Sequence, residues 1–252
     1  MILHSDITGQ GEPLVFLHGL FGSYENLGVI ARALQNQFQI INLDLRNHGR
    51  SAHAESMSYA EMAADVIETL DHLGFTRVAL LGHSMGGKVA MQLALNYGDR
   101  VTKLILADIS PVQNAPRHQA ILAGLAAVEA AQLSQRQEAD ELLSQYVEEV
   151  GVRQFLLKSL RREHPLGWRF NLDAIVRHYN DILAAPSVHT PYSGPTLFIK
   201  GGNSDYIQAS HQDEILRLFP VATAKIIQGT GHWLHAEKPA AFSKLVQDFL
   251  LR

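Results

Sequence analysis

The chain is organised around residues 78–89, Val-Ala-Leu-Leu-Gly-His-Ser-Met-Gly-Gly-Lys-Val. An apolar run short enough to be a buried strand ends at Gly82. A helical pattern with Val89, Leu93 and Tyr97 on one face begins just after Ser84. Ser84 therefore sits at a strand-to-helix turn with a glycine two residues before it and another two after, the spacing G-x-S-x-G. Such a turn holds its serine in a sparsely populated backbone conformation and pushes the hydroxyl above the sheet. Cβ atoms at the flanking positions would collide with the neighbouring strand or helix. Backbone N–H groups at the helix start aim at the space above the serine, where an oxyanion would form.

Two other readings compete. One is a glycine-rich turn with an incidental serine. The other is a phosphate-binding loop, because residues 82–88 also fit G-x-x-x-x-G-K and residues 104–108 would supply an acidic strand for magnesium. That motif needs a Ser or Thr after the lysine, and Val89 stands there.

With 252 residues the chain suits one large α/β domain with a sizeable core. A net charge of −4 gives no reason to expect a nucleic-acid partner. The absence of cysteine excludes disulfides, thiolate nucleophiles and cysteine-based metal sites, and it fits a reducing compartment. The first residues show no basic start and no apolar h-region, and no segment is apolar enough to span a bilayer. The sequence predicts a cytoplasmic protein with no metal and no cofactor.

Apolar strands are predicted at 13–17, 38–43, 78–82, 104–108, 196–199 and 225–227, with helices at about 26–36, 58–73, 85–97, 213–219 and 239–251. Ser58, with Glu61 three residues on, caps the second helix. Strands alternating with helices, the strands continuously apolar, imply a mostly parallel sheet covered on both faces. Between 111 and 193 the strand signal gives way to helical patterns at roughly 117–131, 135–150, 152–160 and 171–184, with Ser134 and Gln137 as a capping box for the second. The core is thus assigned to 1–110 and 194–252, and 111–193 to a helical lid over the carboxyl ends of the strands, where ligands bind in open α/β sheets. The lid is acidic in its first half (Glu129, Glu138, Asp140, Glu141, Glu148, Glu149). It is basic in its second (Arg153, Lys158, Arg161, Arg162, Arg169, Arg177). The plain reading is solvated helix faces; the functional one is a basic half that greets an anionic substrate group.

A serine hydroxyl needs an adjacent base, and the base needs an acid to fix its tautomer. Among 13 histidines, His232 stands out because it follows the last predicted strand inside Gly-Thr-Gly-His-Trp. His235 is the reserve. His18, His48 and His83 read as structural, hydrogen-bonded within turns. Asp108 and Asp205 both end up at the carboxyl edge of the sheet between Ser84 and His232 in sequence. The residues alone leave the two even as the third member.

His18-Gly19-Leu20-Phe21-Gly22-Ser23, the Asp44 to Ser51 segment, the Ser84 motif, Asp108-Ile109-Ser110-Pro111 and Gly231-His232-Trp233, in this order, resemble α/β-hydrolases. They are most similar to the small bacterial YbfF-type esterases. The resemblance covers nearly the whole chain, though the lid has no sharp motif of its own. It implies Ser84 as nucleophile, His232 as base and Asp108 as acid, with Asp205 still satisfying the general pattern. It also implies an oxyanion hole from the backbone N–H groups of Leu20 and Met85. Arg46 and His48 would stabilise their turn. The expected activity is hydrolysis of an acyl ester or thioester, acyl-CoA included, through an acyl-enzyme. A non-catalytic binding module on the same fold and a phosphate-loop nucleotide hydrolase are the competing readings.

Overall fold

The computed structural model describes residues 1–161, 163, 165–187 and 190–252. Seven strands form one sheet: β1 (Ser5–Thr8), β2 (Glu12–Leu17), β3 (Phe38–Leu43), β4 (Val78–His83), β5 (Val101–Ala107), β6 (Thr196–Gly201) and β7 (Ala222–Ile227). Their order is β1-β3-β2-β4-β5-β6-β7, parallel throughout except for β1, which runs antiparallel to β3. β4 lies at the centre, between β2 and β5.

The continuously apolar strands still divide by the two-residue alternation of a pleated sheet. Val15, Leu17, Leu80, Leu104 and Leu106 face one side, with α2 (Tyr59–Leu73) and α3 (Met85–Asn96). Leu14, Phe16, Leu81, Ile105 and Ala107 face the other, with α1 (Gly28–Leu34) and α11 (Pro239–Leu250). Both faces of the central strands β2, β4 and β5 are covered, which is why apolar residues dominate them. α2 starts at Ser58, whose side chain accepts from the Glu61 amide while Glu61 accepts from the Ser58 amide, and it ends at Gly74 with φ 81°.

Between β5 and β6 lie α4 (Gln119–Ala130), α5 (Arg136–Leu143), α6 (Val150–Leu157), α7 (Leu172–Arg177) and α8 (Tyr179–Leu183). Two of the predicted helices are shorter than their patterns. The 135–150 pattern stops at Leu143, and Arg153 donates to the freed Val147 and Glu148 carbonyls at 2.9 and 2.8 Å. Its cap is Gln135, with Glu138 accepting from the Ser134 and Gln135 amides, rather than the expected Ser134 and Gln137. The reason is reach: a carboxylate takes both free amides at once. The 171–184 pattern breaks at His178, whose ring bridges the Asp181 carboxylate and the Glu55 carbonyl, both at 2.7 Å. Two further short helices, α9 (Gln212–Leu218) and α10 (Leu234–Glu237), flank β7 and the final loop.

Candidate active site

Ser84 follows β4 with φ 54° and ψ −120°, a conformation that few non-glycine residues adopt. The turn closes only because its neighbours lack side chains. A Cβ on Gly82 would strike the Gly86 carbonyl, and one on Gly86 would strike the Leu17 carbonyl of β2.

His232, on the loop after β7, directs Nε2 to the Ser84 hydroxyl at 2.9 Å and Nδ1 to Asp108 Oδ2 at 2.7 Å. Asp108 follows β5 with φ 51° and is fully buried. Its Oδ1 accepts from the Gly201 amide at 2.9 Å, and Oδ2 also accepts from the Ser204 hydroxyl. Both carboxylate oxygens are thus engaged, which fixes the plane of the carboxylate against the imidazole. The ring is held from above as well. Tyr206 stacks on it with 3.7 Å between centroids and 12° between planes, and the Arg117 guanidinium lies 4.2 Å over the other face of Tyr206. Neither Ser204 nor Tyr206 carries a motif of its own, so pattern reading could not single them out.

Asp205 takes a different place. It is exposed, pairs with Arg117 at 2.7 Å, and makes no contact with His232. The arginine holds its carboxyl below the usual range. Of the two aspartates, Asp108, which the family resemblance favoured, touches the imidazole, and the alternative Asp205 forms no hydrogen bond with it.

The backbone N–H groups of Leu20 and Met85 have no hydrogen-bond partner among the described residues, while those of Phe21, Ser84 and Gly87 are taken. Phe21 N–H donates to His48 Nε2 at 3.2 Å, and Leu45 N–H donates to His18 Nε2 at 3.0 Å. Each ring turns its Nδ1 to a carbonyl, Arg46 for His48 and Gly19 for His18. Burial pushes these imidazoles down, His18 to about 4 and His48 to about 3, so both are neutral and serve as acceptors. They brace the turn that carries Leu20. Arg46 grips buried Asp65 through two nitrogens at 2.6 and 3.0 Å and holds the loop after β3, which carries His48, to α2. His83 donates from Nε2 to the His232 carbonyl at 2.9 Å; its ring and that of His235 are 4.4 Å apart. His235 is buried beside His83 with its pKa pushed down to about 3, out of range as a base.

Ser84 and His232 open onto a cavity of about 460 Å³, whose far wall is built by Ile121, Val147, Val152, Phe155 and Leu156 of the insert. The basic half of the insert does not line it. Arg153 is committed to Asp140, Arg161 to the Trp168 carbonyl and Arg169 to Glu25. Lys158 and Arg177 also lie off the cavity, and Arg162 lies outside the described residues. Glu148 and Glu149 border the opening instead. Lys88, the lysine of the phosphate-loop reading, is buried and bonded to three carbonyls, which leaves it no donor for a phosphate. No helix among the described residues is long and apolar enough to cross a membrane.

The chain resembles known proteins over most of its length. The family model of the α/β hydrolase fold matches residues 12–239. The chain is 42% identical to Esterase YbfF of Escherichia coli, over 96% of this chain and 94% of that protein. It is 44% identical to the sn-1-specific diacylglycerol lipase ABHD11 of Mus musculus, over 94% of this chain and 80% of the lipase. A solved structure described as a marine microorganism esterase superposes with a TM-score of 0.95 at 38% identity, covering 98% of this chain and 99% of its own. With a matched segment spanning most of its length and relatives above 40% identity, the chain belongs to the α/β-hydrolase family.

Proposed function

We propose that the chain is a serine carboxylesterase that hydrolyses acyl esters through an acyl-enzyme on Ser84. The observation that carries this is the unbroken line from Asp108 through His232 to Ser84, 2.7 and 2.9 Å long, at the floor of an apolar cavity. His232 Nε2 takes the hydroxyl proton as Ser84 Oγ attacks the ester carbonyl. Nδ1–H stays on Asp108, which stabilises the imidazolium without taking its proton. The carbonyl oxygen, now an anion, receives the free amides of Leu20 and Met85. Fixed dipoles of this kind act without reorganising, and each is worth roughly 10²–10³ in rate. The protonated His232 then gives its proton to the departing alkoxide. Water, activated by the same nitrogen, hydrolyses the acyl-enzyme and restores Ser84.

Residues 111–193 act as the lid of this site and supply the wall against which an acyl chain packs. The aliphatic and aromatic part of the insert wall suits an uncharged acyl chain, and Glu148 and Glu149 beside it disfavour an anionic one. A cysteine-free chain is at home in the reducing cytoplasm, where we place it. The test is Ser84→Ala assayed on p-nitrophenyl butyrate. Turnover falls by at least ~10³-fold with the melting temperature preserved, and near-parental turnover would end the assignment. A graded series of p-nitrophenyl esters beside acyl-CoAs then separates ester from thioester preference.

A further inference from the structure

Helix α3 begins at the nucleophile and carries, one turn on, a buried lysine that the chemistry does not use. Lys88 is 1% exposed, and its Nζ donates to the carbonyls of Val112 at 2.7 Å, Leu183 at 3.1 Å and Ala184 at 2.6 Å. No carboxylate among the described residues forms an ion pair with it; the carbonyl dipoles and the Tyr59 ring, 5.9 Å from Nζ to its centroid, face the charge. An ammonium has three donors and finds three acceptors here. Burial pulls the Lys88 pKa down, to about 7, while three carbonyl partners favour the charged form.

The positions of those carbonyls give the arrangement its meaning. Val112 lies where the chain leaves β5 for the insert, and Leu183 and Ala184 lie where α8 ends and the chain returns. The two necks also touch one another, through Asn114 N–H to the Leu183 carbonyl at 2.8 Å. One turn beyond Lys88 on the same helix face, Gln92 repeats the arrangement. Its amide donates to the Ser187 carbonyl and accepts from the Ser187 amide, at 2.9 and 2.8 Å. The returning neck is thus held at three successive points by the helix that presents Ser84.

We propose that Lys88, supported by Gln92, is the positioning residue of the insert, tying both of its necks to the nucleophile helix and so fixing the acyl-chain wall relative to Ser84. The inference rests on the ester-hydrolase reading for its kinetic consequence, and on hydrogen bonding alone for its structural one. A long acyl chain uses the insert wall, whereas an acetyl group needs little beyond Ser84 and the free amides. Loosening the necks therefore penalises long chains selectively.

Lys88→Met keeps most of the length of the side chain and removes its donors. In this variant, amide hydrogen exchange at Asn114 and Ser187 rises at least ~10-fold against strand amides of β4 and β5. The ratio of kcat/KM for p-nitrophenyl octanoate to that for p-nitrophenyl acetate falls at least ~10-fold, chiefly through the octanoate KM. A general loss of stability lowers both esters alike and leaves the ratio in place. An unchanged ratio in folded Lys88→Met therefore overturns the positioning role, and unchanged exchange overturns the tether. Where Lys88→Met does not fold, Gln92→Leu carries the test, read at the Asn114 amide and by the same ester ratio, with shifts of ~3-fold expected. A parental protein that cleaves neither ester refutes the proposed reaction, and exchange alone then decides whether Lys88 holds the necks.

Discussion

Replacing Asp108 by asparagine separates the expected acid from its alternative, Asp205. The buried Asp108 carboxylate accepts from Gly201 N–H on one oxygen, and from Ser204 and His232 on the other. Asparagine has a single acceptor oxygen, which the Gly201 amide retains because no other group satisfies it. The NH₂ group then faces His232 Nδ1, and that nitrogen must become the acceptor. The proton moves to Nε2, pointing at Ser84, and the imidazole can no longer act as base. Asparagine also removes the charge that balances the imidazolium at 2.7 Å. With an effective dielectric constant of 20, that attraction is about 6 kcal/mol, or roughly 10⁴-fold in rate. The corresponding substitution in serine proteases lowers kcat by roughly 10⁴. Asp205→Asn should behave otherwise, since it breaks an exposed pair with Arg117 worth at most about 1 kcal/mol, less than ~10-fold in rate. Steady-state kinetics on p-nitrophenyl butyrate, beside thermal melts of both variants, make the comparison. A large loss with Asp205→Asn and parental turnover with Asp108→Asn would refute the reasoning.

The cavity wall predicts that Ile121→Trp, on α4, lowers the octanoate-to-acetate ratio of kcat/KM by about tenfold, because bulk added there fills space a long chain needs. A graded ester series reads this, and an unchanged ratio places the acyl chain elsewhere. Stability should fall as pH drops below 6.5. His18 and His48 stay neutral in the fold down to about 4 and 3, while the unfolded chain protonates near 6.5. The stabilisation is complete above pH 6.5 and is lost progressively toward pH 4, by about 3 kcal/mol for His18 alone. Urea midpoints that do not change between pH 7 and pH 4.5 would contradict the neutral burial of these rings.

The elements with the strongest periodicity were legible from the chain alone. Strands such as 38–43 and 78–82 are too apolar to be anything but buried, and Ser58 with Glu61 announces the start of α2. β1 escaped notice because Ser5-Asp6-Ile7-Thr8 is short, mostly polar and paired on one edge only. The overlong helix at 135–150 has a tertiary cause, since Arg153 can cap its broken end only from the next helix. Within the site, the Ser84 turn is a local feature, written in five consecutive residues. The choice between Asp108 and Asp205 depends on how β6 delivers Gly201 and Ser204 to one of them, and no local pattern carries that. The Arg117–Tyr206–His232 stack joins three segments distant in sequence and was invisible for the same reason.

Ser84 and the imidazole that meets it are 148 residues apart, and the loop bearing that imidazole follows the last strand of the sheet. During translation at 5–20 residues per second, the hydroxyl therefore leaves the ribosome roughly 7–30 s before its partner. Through that interval the nascent polypeptide lacks the imidazole that meets Ser84 in the fold. On the proposed mechanism, reactivity switches on only as the carboxy-terminal segment docks, so chains that end before His232 should be inert.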